Sequence, residues 1–518
     1  MKTHLMYRDR DFEMLGELPG NEWELTQDLD LPTLFQAMAL GDKFLFEVSR
    51  RAVLSSLAEP AAITYRQQIL EDCLRHSEVV REMYAIAVAA VDGERVIWAP
   101  FRKSPSGTLR RSVEVLQLFV GLLKRLRQIA DDQGAECQSE GLIAFFETLK
   151  RELDDEYFRS VDQHLQRLKL RDGVVMSAEL GEGNKGAGYV LRTPGIMRQR
   201  WKEWLGIESR STYSFEISPR DDAGLRALSV LTDRGVTLVA NALAQSTDHI
   251  LSFFTMLRAE LGFYVSCLNL RGRLVEMGEP TCIPVPMPWR SSALAANCLY
   301  DACLRLRIEG PVVGNDVPGD GKSLVMITGA NSGGKSTFLR SVGLAQLMMQ
   351  CGMFVAADSY VSSVCDRLFT HFIREEDASM RSGRLDEELS RMSVIADELT
   401  PSCMVLFNES FAATNEREGS EIARQIVRAL LESGIKILFV THLFELAESF
   451  YLQKLDSALF LRAERLDDGR RTFRLVEGEP LPTSYGEDLY RRLGGWTTVR
   501  AMGESSSAGV APAGSPDA

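Results

Sequence analysis

One short stretch of the chain limits its possible folds more than any other. Gly329–Thr337 reads GANSGGKST and fits the pattern G-x4-G-K-S/T. An apolar run suited to a buried strand, 324–328, comes just before it, and 338–349 has the character of a helix. A strand, a glycine-rich loop and a helix in this order distinguish a phosphate-binding loop from a chance glycine-rich turn. The sequence therefore predicts an α/β region that binds nucleotide phosphates at 329–337.

The residue types in this loop suit that chemistry. Glycines let backbone N–H groups turn towards phosphates, and the start of the following helix adds partial positive charge. We expect Lys335 to neutralise the β- and γ-phosphates and the hydroxyl of Ser336 to hold Mg²⁺. The residues expected to bind ATP are Gly329, Asn331, Ser332, Gly333, Gly334, Lys335, Ser336 and Thr337.

Two further apolar runs each end in residues suited to catalysis. The run 404–407 precedes Asn408 and Glu409, and the run 435–440 precedes Thr441 and His442. Glu409 is the candidate for polarising the water that attacks ATP, and His442 for sensing the γ-phosphate. An ordinary surface acid and a structural histidine are the competing interpretations.

Asn408 stands where ATPases of this kind usually carry an aspartate. Its amide oxygen can accept a hydrogen bond from metal-bound water, but it lacks the charge that tightens magnesium binding. We therefore expect Ser336 and Asn408 to form the metal site, and hydrolysis to be slow or absent.

The residues before the phosphate loop predict a mostly helical region. Apolar residues recur with helical period over 112–130 and 140–170, and again over 247–277. A helix covering 140–170 would span roughly 45 Å, which favours a lever or strut. Between these helices, 174–191 is rich in glycine and predicts a β-hairpin.

A chain of 518 residues is too long for one compact core, so several domains are expected. Prolines at 280, 284, 286 and 288 mark a boundary. The expected fold is α/β plus mostly α. The expected parts are an N-terminal helical region (1–105), a helical core or lever domain with a small β element (106–277), a P-loop ATPase domain (278–500) and a disordered tail (501–518).

Bulk properties exclude some classes of protein. The nine cysteines form no CxxC pair, so neither a zinc site nor a disulfide scaffold is expected. No signal peptide and no apolar run of 18 residues is recognisable, which predicts a cytoplasmic protein without a membrane span. The net charge of −13 argues against DNA contact over the whole surface, although local basic patches remain compatible with it.

Several motifs together resemble the MutS family of DNA mismatch repair ATPases. Their order and spacing match over about 311–450, and Gly-x-Phe-Val-x-Ala after the phosphate loop is especially specific. The segments that carry the resemblance are Thr328–Thr337, Gly352–Asp358, Asp366–Thr370, Glu388–Leu389, Leu406–Glu409, Ala413–Gly419 and Thr441–Leu446.

The resemblance implies an ABC-type ATPase domain that uses ATP and Mg²⁺. It also implies a homodimer with each nucleotide held between two protomers. Thr414 and Asn415 would then lie in a loop at the dimer interface. Family members carry a serine that contacts the partner's nucleotide, but this chain has Gly383 there, so Ser382 or Arg384 is the candidate substitute.

The N-terminal half departs from a mismatch-reading protein. Such proteins carry Phe-x-Glu in an extra N-terminal domain, whereas Phe145–Glu147 lies inside a periodic helix and predicts core packing. The leading hypothesis is a MutS-like ATPase that couples ATP binding and dimer closure to DNA binding, in mismatch repair or recombination-related DNA maintenance. The alternative is an ATP-dependent scaffold or switch acting on protein partners.

Two basic clusters are candidates for DNA contact, and solvated helix faces are the alternative interpretation. The first comprises Arg102, Lys103, Arg110 and Arg111. The second comprises Arg192, Arg198, Arg200, Trp201, Lys202 and Trp204.

Overall fold

A computed structural model describes residues 1–97, 104–171, 173–192, 214–374, 383–466 and 470–481. The contacts within it divide the chain into two compact units. The first unit consists of Met1–Met14 and Glu71–Val265. The second consists of Leu15–Leu70 and the described residues from Ser266 onward, and it contains the phosphate loop.

The first unit is mainly helical. Its helices are α5 (Ser77–Val96), α6 (Pro105–Gln133), α7 (Glu140–Glu152) and α8 (Asp155–Leu168), and its strands are β1 (Met176–Leu180) and β2 (Gly186–Leu191). The two strands pair antiparallel, in the stretch where the sequence predicted a hairpin. Phe145 and Phe146 are each 2% exposed, which confirms that they belong to the core.

The single helix predicted over 140–170 is wrong, because α7 and α8 are separate. Asp154 lies between them and its carboxylate accepts a hydrogen bond from the amide of Tyr157, which caps α8. An aspartate of this kind starts a new helix more readily than it continues an old one. Apolar periodicity persists across the break, so the pattern alone did not reveal it.

A longer helix, α9 (Asp222–Glu276), runs from the first unit into the second. It extends well beyond the predicted 247–277. By length and composition, this helix is long and apolar enough to cross a membrane. However, 67% of its most apolar window is buried within the protein, as in the core helix of a folded domain.

The second unit is mixed α/β. Its helices are α1 (Glu22–Asp28), α2 (Leu31–Ala39), α3 (Lys43–Leu54), α10 (Ala302–Arg307), α11 (Lys335–Gln350), α12 (Arg384–Glu398), α13 (Glu416–Glu432) and α14 (Phe444–Tyr451). Most of α4 (Pro60–Arg75) also belongs to this unit, and its residues from Glu71 onward belong to the first. Its strands are β3 (Val285–Met287), β4 (Leu294–Leu299), β5 (Asn315–Pro318), β6 (Leu324–Thr328), β7 (Ser359–Ser363), β8 (Leu368–Phe372), β9 (Met404–Asn408), β10 (Lys436–Val440), β11 (Ala458–Arg465) and β12 (Arg471–Glu477).

Six of these strands form one sheet in the order β12-β11-β6-β10-β9-β8. All neighbours are parallel except β11 and β12, which form an antiparallel pair at one edge. β6 and β10 are buried over their full length, as expected for parallel strands covered on both faces. Because parallel strands end at one edge, the residues that follow β6, β9 and β10 lie close together.

A second sheet has four strands in the order β3-β7-β4-β5. The buried ammonium of Lys436, at the start of β10, donates to the carbonyl oxygens of Ser292 (3.0 Å) and Ala293 (3.1 Å). These bonds link the two sheets within the second unit.

Candidate functional site

The phosphate loop connects β6 to α11 through three residues with left-handed backbone. Gly329 has φ 111°, Ser332 φ 55° and Gly334 φ 92°. The β11–β12 pair packs directly on this loop: a Cβ atom on Gly329 would lie 2.9 Å from the amide nitrogen of Ala463, and one on Gly333 2.7 Å from the Cβ atom of Ala463. Glycine is therefore required by packing as well as by phosphate access, a contact that the motif did not reveal.

Lys335 opens α11 and folds back over the loop. It is 4% exposed, and its Nζ donates to the carbonyl oxygens of Gly329 (3.0 Å) and Ala330 (3.1 Å). Burial lowers the pKa of Lys335 to about 8. The negative charge of Glu409 opposes this decrease, and the positive charge of Arg471 adds to it. A phosphate would replace the two carbonyl contacts and favour the charged form of the lysine.

Ser336 and Asn408 meet beside this lysine. The Ser336 hydroxyl donates to the amide oxygen of Asn408 over 2.8 Å. A hydroxyl and an amide oxygen are ligands that suit Mg²⁺, which keeps several waters and needs few protein ligands. The two residues thus fit the metal site proposed for them.

Glu409 and His442 also come together, although 33 residues separate them in the chain. The Glu409 carboxylate accepts a hydrogen bond from Nε2 of His442 over 2.8 Å. This bond, together with the charges of His442 and Lys335, lowers the pKa of Glu409 although burial opposes it. The carboxylate is therefore ionised at neutral pH and able to polarise a water.

The turn that carries Glu409 has an unusual backbone. Glu409 has φ 57° and Phe411 φ 64°, both left-handed, and the buried Ser410 lies between them. The amide of Glu409 donates to the carbonyl oxygen of Val440 over 2.9 Å, which ties the turn to the end of β10. Residues with side chains adopt this backbone only where surrounding contacts hold them.

The other loop residues expected to bind ATP lie along the same rim. Asn331, Ser332 and Ser336 are exposed, Gly333 is buried, and Thr337 is half-buried in the first turn of α11. The motif therefore supplies both solvent-facing groups and groups packed against the sheet.

A mainly apolar cavity of about 380 Å³ adjoins the loop. Its size and lining suit a flat aromatic ring such as a nucleobase, and it opens onto Ser332 and Gly334. Asn315 shapes one wall: its amide nitrogen donates to the carbonyl oxygen of Phe473 (3.2 Å), and its oxygen accepts from the amide of Leu475 (2.7 Å). No run of neighbouring residues predicts this cavity, because its lining comes from three separate parts of the chain. Side chains that line it include Leu304, Val312, Phe338 and Phe473.

The residues expected at a dimer interface lie at helix starts. The side-chain oxygen of Asn415 accepts a hydrogen bond from the amide of Glu418 (3.0 Å) and caps α13, with Thr414 just before it. Gly383 precedes α12, and Arg384 is its first residue. Ser382 lies outside the described residues.

The described members of the basic clusters are held by other side chains. Arg110 is bonded to Glu114 over 3.2 Å, Arg111 is paired with Glu94, and Arg192 donates to the hydroxyl of Ser177 over 2.9 Å. Such pairing weakens their case as phosphate contacts. The remaining members lie outside the described residues: Arg102, Lys103, Arg198, Arg200, Trp201, Lys202 and Trp204.

Comparison with known proteins finds two matching domain families on this chain. The MutS2 N-terminal domain matches residues 58–277. MutS domain V matches residues 325–494, which include the phosphate loop, Asn408, Glu409 and His442.

Individual relatives match a limited part of the chain. The DNA mismatch repair protein MutS of Thermotoga maritima is 39% identical over 184 residues, which are 35% of this chain and 23% of that protein. Endonuclease MutS2 of Lacticaseibacillus casei is 33% identical over 188 residues, with the same two shares. MutS of Chloroflexus aurantiacus is 35% identical over 144 residues, or 27% of this chain and 15% of that protein. The match thus spans less than a quarter of the length of these relatives.

Proposed function

Because this chain belongs to the MutS family, we propose that it is an ATPase in which ATP binding closes a dimer on DNA. The observation that carries the proposal is the meeting of Lys335, the Ser336–Asn408 pair and the Glu409–His442 pair at one sheet edge. Such a set suits phosphoryl transfer, where catalysis consists mainly of positioning and charge stabilisation. The ATPase domain is of the ABC type in this proposal, and the protein acts in the cytoplasm on DNA maintenance.

Each residue has a specific part in this mechanism. Lys335 leaves the carbonyls of its own loop and binds the β- and γ-phosphates. The ionised Glu409 accepts a hydrogen bond from the attacking water, and His442 orients that carboxylate and senses the γ-phosphate. Ser336 and Asn408 would hold Mg²⁺, which when bound would neutralise phosphate charge. The base lies in the apolar cavity bordered by Phe473.

Dimer closure is proposed to place each nucleotide between two protomers. In the turn before α13, Asn415 is exposed and Thr414 half-buried, and both would face the second copy. Arg384 or Ser382 would contact the partner's nucleotide. Asn408 makes turnover slow in this proposal, since magnesium is held without a carboxylate.

The variant Glu409→Gln tests the catalytic assignment. It keeps the shape of the side chain but removes the charge that polarises water, so ATP affinity stays within about twofold while turnover falls by 10²–10⁴-fold. The trapped ATP should shift the species in sedimentation from 57.8 kDa towards twice that mass. Lys335→Ala is the matched control, because it should lose ATP binding and dimer together. Normal turnover by Glu409→Gln would refute the role of Glu409.

A panel of DNAs tests the DNA part of the proposal. Perfect duplex, mismatched duplex, single strand and four-way junction are titrated with Glu409→Gln, with and without ATP and Mg²⁺, at two salt concentrations. Nucleotide-dependent binding that weakens with salt supports a DNA clamp. If protein that binds ATP retains none of these DNAs, the result favours the alternative, an ATP-dependent scaffold that acts on protein partners. The net charge of −13 is consistent with that alternative.

A further inference from the structure

The turn that carries Glu409 is held by residues that the proposed mechanism does not use. Glu409 and Phe411 both have left-handed backbone, with φ 57° and 64°. Phe411 and Ser410 are fully buried. A strained turn keeps its shape only if surrounding contacts determine it, so the contacts on Ser410 and Phe411 decide where the Glu409 carboxylate lies.

The first of these contacts comes from α12. The carboxylate of Glu388, in the first part of that helix, accepts a hydrogen bond from the backbone amide of Phe411. Glu388 is 2% exposed. An acid this deeply buried is costly unless its oxygens are bonded, so the bond to Phe411 accounts for a carboxyl group at this position.

The second contact comes from His371 in β8, the neighbour of β9. Its ring stacks on the Phe411 ring, with centroids 5.3 Å apart and planes 19° apart. Its Nδ1 lies 2.7 Å from the hydroxyl of Ser410, and its Nε2 3.0 Å from the backbone carbonyl oxygen of Glu388. Both ring nitrogens are thus engaged, one with the turn and one with α12.

His371 stays neutral in this environment. Burial, reinforced by the positive charge of Arg391, lowers the pKa of His371 to about 4. The Ser410 hydroxyl also donates to the backbone carbonyl oxygen of His371 over 2.6 Å, so two contacts tie this serine to β8. The cluster of Glu388, His371, Ser410 and Phe411 is therefore a set of directional contacts, not a single ion pair.

Helix α12 is itself fixed to the same sheet. Arg391 donates to the carbonyl oxygen of Phe372 over 3.0 Å and bonds Glu387 over 2.7 Å. Movement of α12 would consequently pull on the bond between Glu388 and Phe411. α12 begins at Arg384, one of the two residues proposed to contact the partner's nucleotide.

We propose that Glu388 and His371 are positioning residues that hold the Glu409 turn in its catalytic shape and couple it to helix α12. This inference rests on the proposed ATPase function. It assigns no contact with ATP to either residue: they act on hydrolysis through the turn, and nucleotide affinity depends on the phosphate loop.

The test compares two substitutions at one position. Glu388→Ala leaves the buried amide of Phe411 without its acceptor, so kcat should fall by about 10- to 100-fold while ATP affinity changes less than about twofold. Glu388→Gln keeps an acceptor oxygen and should stay within about threefold of the wild-type kcat. Glu387→Gln is the matched control, since that neighbour pairs with Arg391 instead of the turn.

Hydrogen exchange gives a readout that does not depend on turnover. Glu388→Ala should speed exchange at the backbone amides of the Glu409 turn, and Glu388→Gln should restore most of the protection. Ser410→Ala removes the hydroxyl that contacts both Nδ1 and the backbone carbonyl oxygen of His371, with little change of volume. It should lower kcat several-fold even if Glu388→Ala fails to fold.

The outcomes separate the two proposals. A wild-type protein that binds ATP but never hydrolyses it would overturn the ATPase function, and the positioning role with it. Active wild type together with fully active Glu388→Ala and Ser410→Ala variants would overturn the positioning role alone. Equal losses in kcat and ATP affinity would also refute it, because they would indicate a general structural defect.

Discussion

At the scale of single residues, we expect one missing charge to matter most, because Asn408 stands where an aspartate is expected. Ser336 donates to Asn408 over 2.8 Å, so the amide already occupies the place proposed for a metal-bound oxygen. The carboxylate nearby belongs to Glu409, which is bonded to His442. Magnesium would thus meet neutral oxygens from Ser336 and Asn408, and the phosphates would supply most of the negative charge around it.

We therefore expect Asn408→Asp to tighten the binding of magnesium. The added charge strengthens the contact by about 1 kcal/mol or more, so the free Mg²⁺ needed for half-maximal ATPase activity should fall roughly five- to tenfold. The measurement is a magnesium titration at saturating ATP.

Asn297→Asp is the control for this substitution, because it adds the same charge at an exposed position of β4. An unchanged magnesium requirement in Asn408→Asp would show that residue 408 is not at the metal. A similar shift in both variants would point to a general effect of charge.

At the scale of elements, the pair β11–β12 and the helix α9 make contacts that their own sequences do not predict. The pair packs on the phosphate loop through Ala463 and Phe473. Helix α9 holds the start of the chain: Glu260 accepts hydrogen bonds from the amides of Leu5 (2.7 Å) and Phe12 (3.2 Å). The Tyr264 hydroxyl donates to the carbonyl oxygen of Leu5. Both contacts join segments that are distant in sequence.

Glu260 predicts a pH-dependent stability for the first unit. Burial raises the pKa of Glu260 from 4.5 to about 7, although the hydrogen bonds to it oppose this. The folded protein therefore binds the proton more tightly than the unfolded chain. This stabilisation is complete below pH 4.5 and is lost as the pH rises through 7. Its total is on the order of 3 kcal/mol.

Urea denaturation at pH 5 and pH 8 measures this effect in the wild type and in Glu260→Gln. The amide cannot ionise, so the difference in unfolding free energy between the two proteins should change with pH by about the same 3 kcal/mol. Glu276→Gln, at the exposed end of α9, is the control. A difference that is constant with pH would mean that Glu260 ionises equally in the folded and unfolded states.

At the scale of the whole molecule, the chain divides into two compact units, and all the proposed catalytic residues lie in the second. A ligand stabilises only the state that binds it. ATP should therefore act unequally on the two units, and calorimetry offers a way to observe this.

We expect calorimetry with Mg²⁺ and a non-hydrolysable ATP analogue to separate the unfolding of the two units. At a ligand concentration of a hundred times Kd, the second unit gains about 2.7 kcal/mol and its Tm rises, while that of the first unit stays nearly constant. Lys335→Ala should abolish the shift. One transition that moves as a whole would mean that the two units unfold cooperatively.

Much of the fold around the candidate nucleotide site could be predicted from sequence, because the signals are local. The phosphate loop needs its glycines, lysine and hydroxyl in consecutive positions, and the apolar runs before Asn408 and His442 are buried strands. A β-hairpin lies within 174–191 for a similar reason. The continuous helix over 140–170 was wrong because Asp154 caps a new helix without interrupting the apolar period.

The sequence by itself determined which chemistry the chain carries, since a motif such as Gly329–Thr337 is a run of neighbours whose spacing encodes its geometry. Only the tertiary structure decided how that chemistry is held in place. Ala463 against the loop, Glu388 beneath Phe411 and His371 against Ser410 are contacts between residues 23 to more than 130 positions apart. Such contacts depend on strand order and helix packing, and no pattern of neighbouring residues records those.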